Sequence, residues 1–412
     1  MEWSWIMEHY PESPHVVWVS SILPHRTLDA ATWLDTTEQL RALGWRVTLI
    51  GEGPRDLQHV REIEVLCFPR PKLYLVGRLV YHLYVIAFLL RQWFQIDIIF
   101  FDQISAIWLL PLRFLRPLTG RHRPLFIMDT RDLADLAANS WRVRIRLWFF
   151  HNVVFALVHR WADGETAITD RMADLVGIPQ AKRLGVWPSG VNPTTFAVSQ
   201  THRQWPQAGE PIQLIYIGRL LTKRNLLPLG RAVVQANREG IHCILSIYGD
   251  GPGRAELADF VSSTAGAVQL LPPVSHEEIP RLLAKAHIGV TSLPNRDDSK
   301  YQASSPVKLF EYMAAGMPLL ATRNVCHTEV VGDADYAFWA DEPTETELLN
   351  ALRALWQQYQ HLDRLGLKAA EQVHAWSWAA AAQKLSNALH LGLNRCNNQS
   401  VGATRDQSAY GD

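Results

Sequence analysis

The feature that most constrains this chain is a rhythm that runs, pauses and restarts. Short runs rich in β-branched and aromatic residues alternate with stretches of helix length: "HVVWVS", a helix-length segment at 27 to 43, "RVTLIG", "IEVLCFP", another at 73 to 92, "DIIFF", "PLFIMDT", another at 141 to 161, and "GETAIT". Strands and helices of these lengths in alternation predict βαβ units and parallel sheets. Because the strands are almost continuously apolar, both faces of each sheet must be covered. The polar, proline-containing "SQTHRQWPQAGEP" breaks the pattern. It reads as a linker. The alternation then returns with "IQLIYIG", a helix at 225 to 238, "CILSIYG", a helix at 253 to 264, "VQLLPPV", a helix at 277 to 286, "IGVTSL", a helix at 306 to 315 and "PLLAT". A chain of 412 residues has enough apolar content for two cores. The expected class is α/β, with two doubly wound domains facing a cleft: residues 1–200, a linker at 201–211, and residues 212–375. Helices alone follow residue 344, ending in a helix at 376–394. The polar residues 395–412 are expected to be disordered.

Charge and cysteine content exclude several classes. Lys plus Arg and Asp plus Glu both number 40, so no overall field draws the chain to nucleic acid, and none is expected as a partner. One local excess stands out: residues 111 to 160 hold nine Arg against three Asp, mixed with Trp and Phe. The four cysteines are widely spaced, which argues for a reducing compartment and against structural zinc. The opening "MEWSWIMEHYPESP" lacks the pattern of an export signal, and cytoplasm is the expected location. "LYLVGRLVYHLYVIAFLL" is interrupted by Arg78 and His82 and falls short of the ~20 apolar residues of a membrane span. Residues 73–93 and 141–161 could seat the first domain on the inner face of an anionic membrane, or could be buried helices of that domain.

The chemistry-bearing motifs follow strand ends, where ligands of doubly wound sheets bind. In "IYIGRLLTKRN" a strand runs into Gly218, followed by Arg219, Lys223 and Arg224. "YGDGPGRAEL" places Gly249, Gly251 and Gly253 in a turn before a helix. Its GxGxG spacing differs from a dinucleotide fingerprint, so no nicotinamide or flavin cofactor is expected. In "SSPVKLFEYMAAGMPLLAT", Ser305 suits an N-cap, Pro306 the first helical position and Gly316 the stop. The helix opening at Ser305, Pro306 and Val307 would present free N–H groups to an anion, with Lys308 one turn in. Glu311 lies too far along for the phosphate and suits hydrogen bonds from hydroxyls. Donors for phosphate beside an acceptor for hydroxyls are what a nucleotide requires. His276 in "VSHEEI" reads as a helix-start residue. No cluster has metal-ligand spacing, and the "DD" at 297 to 298 is isolated, so no metal is expected.

These motifs, in this order, resemble the donor half of retaining glycosyltransferases of family 4, which have the GT-B fold of two Rossmann-like domains. "WADGETAITDRMADLVGIPQAKRLGVWPSGVNPTTF" and "MDTRDL" resemble first-domain segments of the same family. The resemblance implies that the final helix returns to the first domain. It implies transfer of a sugar from a nucleotide diphosphate sugar to a glycan, lipid-linked or small-molecule acceptor, with no further cofactor. Arg219 and Arg224, with Lys223 beside them, match the cations that hold the leaving diphosphate. Glu311 matches the acid that binds the ribose. Gly218, Gly249 and Gly251 belong to the donor loops, and the base is expected near residues 270 to 275, at Val274. Arg131 and Asp132 match a catalytic loop in the first domain, where Arg131 stands for the family's usual His. The family's second acid falls on Ala303, which leaves the sugar open. A catalytically inactive scaffold, a nucleotide-binding partner protein and a GT-B sugar-nucleotide epimerase are the alternatives.

Overall fold

A computed structural model of the chain describes residues 13–20, 30–54, 56–60, 63–120, 123–133, 141–295 and 300–408. Two compact units emerge: Met1–Pro188 with Trp378–Asp412, and Ser189–Ser377.

The first unit is built on β1 (His15–Val19), β2 (Arg46–Glu52), β3 (Asp56–Val60), β4 (Ile63–Phe68), β5 (Ile98–Asp102), β6 (Leu125–Thr130), β7 (Gly164–Ala167) and β8 (Arg183–Val186). They form one sheet in the order β3-β4-β2-β1-β5-β6-β7-β8. β3 is antiparallel to β4, an edge hairpin that polar "DLQHV" did not announce. The neighbouring pairs within the sheet are parallel, for example Val17 opposite Thr48 and Ile99. Helix α1 (Ala30–Ala42) leads from β1 to β2 and α2 (Tyr74–Arg91) from β4 to β5. These two crossovers run in opposite directions across the sheet, so right-handed connections place α1 and α2 on opposite faces. α3 (Trp141–Phe149) continues through a π-helical turn, Phe150–Val154, into α4 (Phe155–Trp161), and this β6-to-β7 crossover shares the face of α2.

Side-chain alternation agrees. Leu125 and Ile127 of β6 join a core with Trp18, Trp45 and Trp187, whereas the ring of Phe126 meets Trp93 and Phe101 on the other face. Helix α9 (Trp378–Ser408) covers the first of these faces through Ala382, Leu385 and Leu389, and Trp45 Nε1 donates to Ser386 Oγ at 2.8 Å.

Two sequence expectations need correction. Residues 395–408 are not a disordered tail but the end of α9. Arg395 donates to Ala181 O at 2.9 Å and Arg123 to the Asn397 side chain at 3.0 Å. A helix already nucleated extends at the cost of one residue per hydrogen bond, and this polar stretch contains no proline to stop it. Residues 201–211 are likewise no free linker, since the second unit begins at Ser189. Buried Arg203 donates to the carbonyls of Leu283, Ala286, Ala315 and Gly316, so its polarity serves carbonyls at helix ends rather than solvent.

The second unit carries β9 (Ile212–Ile217), β10 (Cys243–Tyr248), β11 (Val268–Leu271), β12 (Ile288–Thr291), β13 (Leu319–Thr322) and β14 (Ala337–Ala340). Their order is β11-β10-β9-β12-β13-β14, all parallel. α5 (Pro193–His202), α6 (Leu226–Arg238), α7 (Val307–Ala314) and α8 (Glu345–Gln357) are among the helices that cover it. The order reverses at β9 and β12, whose carboxyl ends mark the switch point where ligands of such sheets bind.

One buried ion pair of the first unit has a pH signature. Glu165 of β7 is fully buried, and His159 of α4 donates to both its oxygens, at 2.9 and 3.1 Å, and through the other ring nitrogen to Val176 O at 3.1 Å. With an acceptor beside each ring nitrogen, this arrangement favours the imidazolium. Burial disfavours this charge, but the Glu165 and Val176 bonds outweigh it and raise the His159 pKa above its ordinary 6.5. The stabilisation is therefore complete below the unfolded-state value and is lost as pH rises through the raised one. Denaturant titrations should show stability declining across that window, and His159→Gln should flatten the slope and cost about 3 kcal/mol at low pH.

Candidate functional site

The site is assembled where the loops after β9 and β10 close on each other. Gly218 N–H donates to Tyr248 O at 3.0 Å, Leu220 N–H to Asp250 O at 2.9 Å and Gly253 N–H to Leu220 O at 2.9 Å. The approach leaves no room for side chains. A Cβ on Gly249, where φ is +154°, would lie 1.9 Å from Gly218 O, and one on Gly251 would lie 2.5 Å from Leu220 O. The role visible for these two glycines is thus to let one loop pack on the other. Gly218 has φ +145°, and a Cβ there would lie 2.8 Å from Lys308 Nζ.

Lys308 is the centre of the arrangement. Its ammonium sits 4.0 Å over the ring of Tyr216, the last inward residue of β9, whose hydroxyl donates to Arg219 O at 3.0 Å. Burial, then the nearby Arg224 charge, hold the Lys308 pKa well below its ordinary value, with Glu311 opposing the shift. α7 is fixed by Tyr312, whose hydroxyl accepts from Ile217 N–H at 3.1 Å and whose ring fills the space that a side chain on Gly289 would need. The helix opens one residue later than expected. Pro306 is extended, with ψ 103°, and Ser305 is not the N-cap. Its hydroxyl instead accepts from Ser189 N–H at 3.0 Å, a contact with a segment distant in sequence that local capping rules do not anticipate.

Of the two adjacent cations, Lys223 is exposed and Arg224 is turned inward. Arg224 lies 5.2 Å over the ring of Tyr301, and its Nε is buried without a hydrogen-bond partner among the described residues. The backbone there is pinned by Ser292, which donates to Arg224 O at 2.6 Å, and by Asn225 at φ +52°, which donates to Ser292 O at 3.0 Å. Buried His327 has its pKa lowered to about 4, by burial first and then by the charges of Lys308 and Arg224. Arg219 is exposed beside Gly218.

Glu311 is 7% exposed, one turn along α7 from Lys308, and its Oε1 meets His276 Nε2 at 3.0 Å. His276, read from sequence as a mere helix-start residue, therefore touches the candidate acid. Its neighbours explain the position: Ser275 and Glu278 form a reciprocal cap that orients the turn. Val274 is half-buried at the start of that turn, and Ala303 is buried. Nothing in local pattern marked Tyr216, Tyr301 or Tyr312 as more than aromatic residues at strand and helix positions that suit a core.

Arg131 and Asp132 belong to the other unit. The Arg131 guanidinium stacks at 3.7 Å on the ring of Trp187, donates to Trp187 O at 3.2 Å and lies 3.9 Å from buried Asp129. These contacts make it an anchor of the loop after β6. Asp132 is exposed and accepts from Leu133 N–H at 2.8 Å.

Comparison with known proteins agrees with both sheets. Residues 198–372 match the model described as glycosyl transferases group 1, and residues 30–195 that of glycosyltransferase family 4. The chain belongs to the group 1 glycosyltransferases. Among curated relatives, "Putative colanic acid biosynthesis glycosyltransferase WcaL" of Salmonella typhimurium is 25% identical over 202 residues, 48% of this chain and 48% of that one. The match thus spans about half the length of the relative. Sucrose-phosphate synthase of Thermosynechococcus elongatus superposes with a TM-score of 0.69 and 18% identity, covering 95% of this chain and 100% of that one. Anabaena HepE, crystallised with UDP and glucose, gives 0.65 and 16%, covering 91% and 99%. At these identities the likeness shows the GT-B fold and no more.

The loop packing makes a direct prediction. Gly249→Ala should destabilise the protein by at least about 2 kcal/mol in urea unfolding, since it meets backbone and cannot relax locally. Gly240→Ala, at φ +83° with open space around it, should cost only about 1 kcal/mol.

Proposed function

We propose that this protein is a retaining hexosyltransferase that uses a nucleotide diphosphate sugar as donor. Its acceptor is a glycan, a lipid-linked carrier or a small molecule, in the synthesis of cell-surface polysaccharide or glycoconjugates. The observation that carries the reading is the juxtaposition of Lys308 and inward-turned Arg224 beside the open start of α7, with Glu311 one turn beyond. The names of WcaL and of HepE with UDP and glucose are in keeping with it. The buried thiols of Cys67, Cys243 and Cys326 suit a reducing, cytoplasmic setting.

In this reading Arg224 and Lys308 hold the diphosphate, Arg219 reaches it from the exposed side, and the first N–H groups of α7 complete the anion site. Glu311 accepts hydrogen bonds from the ribose hydroxyls through the oxygen that His276 leaves open. As the glycosidic bond to the donor phosphate breaks, negative charge grows on the departing diphosphate, and preorganised cations stabilise that charge more than the ground state. The departing phosphate accepts the proton of the acceptor hydroxyl, which attacks from the same face and so retains configuration. Asp132, exposed among the described residues of its loop, serves the acceptor in this reading, with Arg131 and Trp187 positioning it.

Thermal melts with UDP, GDP, ADP and TDP test the donor site. One nucleotide at ~100 times its dissociation constant should add ~2.7 kcal/mol, and Glu311→Ala should remove the shift. Arg224→Ala should lower turnover about a hundredfold. NMR of the product should show the anomeric configuration of the donor; inversion would overturn the retaining mechanism. Nucleotide binding without transfer would favour a scaffold, and release of free sugar without acceptor an epimerase.

Lys308 adds a pH signature. A bound diphosphate restores the charge that burial disfavours, so binding should take up a proton wherever the free protein has lost it. Above about pH 8, where the phosphate has finished titrating, affinity should fall as pH rises. Calorimetry in buffers of different ionisation enthalpy should detect the uptake, and Lys308→Met should abolish it.

A further inference from the structure

α2 is apolar over most of its circumference, interrupted by half-buried Arg78 and by buried His82. Its inward side carries Tyr81, Val85 and Leu89, each 1% exposed or less, on the sheet. Its outward side is equally apolar, with Leu75 74%, Leu79 42%, Leu83 54% and Leu90 47% exposed. A helix with apolar residues on every side belongs in a core or against lipid, and here one side already faces a core. The crossovers that share this face of the sheet show the same inversion. Leu118, between β5 and β6, is 82% exposed, and Ile145 and Trp148 of α3 are 58% and 61% exposed. Isolated surface leucines are ordinary, but consecutive crossovers presenting such rows outward form a patch.

Charge identifies what covers it. No acid occurs from residue 65 to 96, from 103 to 128 or from 136 to 162, which take in the crossover helices, while Asp132 and Asp135 precede α3 in sequence. Exposed Lys72, Arg91, Arg144 and Arg160 lie along them. A second protein chain would be expected to offer this patch acids at a few fixed points, whereas an acid-free apolar face with scattered cations at its margins suits a continuous anionic plane. No helix among the described residues is long and apolar enough to cross a membrane, so the contact lies at the surface.

We infer that the outward face of α2, with Leu118, Ile145 and Trp148, docks the first unit onto the surface of an anionic lipid bilayer. Leu75 lies near the carboxyl ends of the strands, the ends at which such sheets take their ligands, so docking holds that end of the unit at the headgroups. The inference is independent of the donor-site reading: it concerns another unit and needs no nucleotide.

The test is co-sedimentation of the full chain with vesicles of phosphatidylglycerol in phosphatidylcholine, against phosphatidylcholine alone. Binding to the anionic vesicles should be at least ~10-fold stronger and should weaken with salt. Leu79→Asp with Leu83→Asp, both at exposed positions, should reduce it at least ~10-fold with unchanged circular dichroism, and Lys72→Glu with Arg91→Glu should reduce it at low salt only. If that leucine pair loses its circular dichroism, Trp148→Ser on the neighbouring helix provides the same readout. Failure to sediment, equal binding to both vesicles, or undiminished binding of folded variants would overturn the proposal. Self-association of the wild type, abolished by the leucine changes and without lipid binding, would assign the face to a second copy instead.

Discussion

The second unit depends on how closely two loops can approach. β9 and β10 end side by side, and their continuing backbones bond to each other at Gly218, Leu220 and Gly253. Any side chain at Gly249 or Gly251 would collide with that backbone. Because the loop after β9 is held down in this way, Arg219 is presented outward and Arg224 is carried inward to Tyr301. The missing side chain at Gly218 also gives Lys308 its place over Tyr216. The glycines therefore determine the electrostatics of the site without carrying charge themselves.

The site is costly to maintain. An ammonium held over a tyrosine ring near a second cation is disfavoured by both burial and repulsion. Glu311 offsets part of this, and Tyr312 and Asn225 tie down the elements that carry the two cations. Groups held in this state gain most when an anion arrives, because the reorganisation has been completed during folding.

The two units manage apolar surface differently. In the second, Arg203 brings a polar segment into the core to satisfy helix-end carbonyls. In the first, α9 seals one face of the sheet, while the helices on the opposite face expose Leu75, Leu79, Leu83, Ile145 and Trp148.

Much was legible in sequence because it rests on short-range chemistry. Strand and helix alternation, the strand-end position of Gly218 and Arg224, and the placing of Lys308 and Glu311 on one helix all follow from local pattern and spacing. Other features depend on residues far apart in the chain. Ser305 bonds Ser189 instead of capping α7, His276 meets Glu311, Arg131 is absorbed by Trp187, and Arg203 turns an apparent linker into part of a core. Polarity in the sequence says that a group needs partners; only the folded chain decides whether those partners are water, a distant carbonyl or a neighbouring carboxylate.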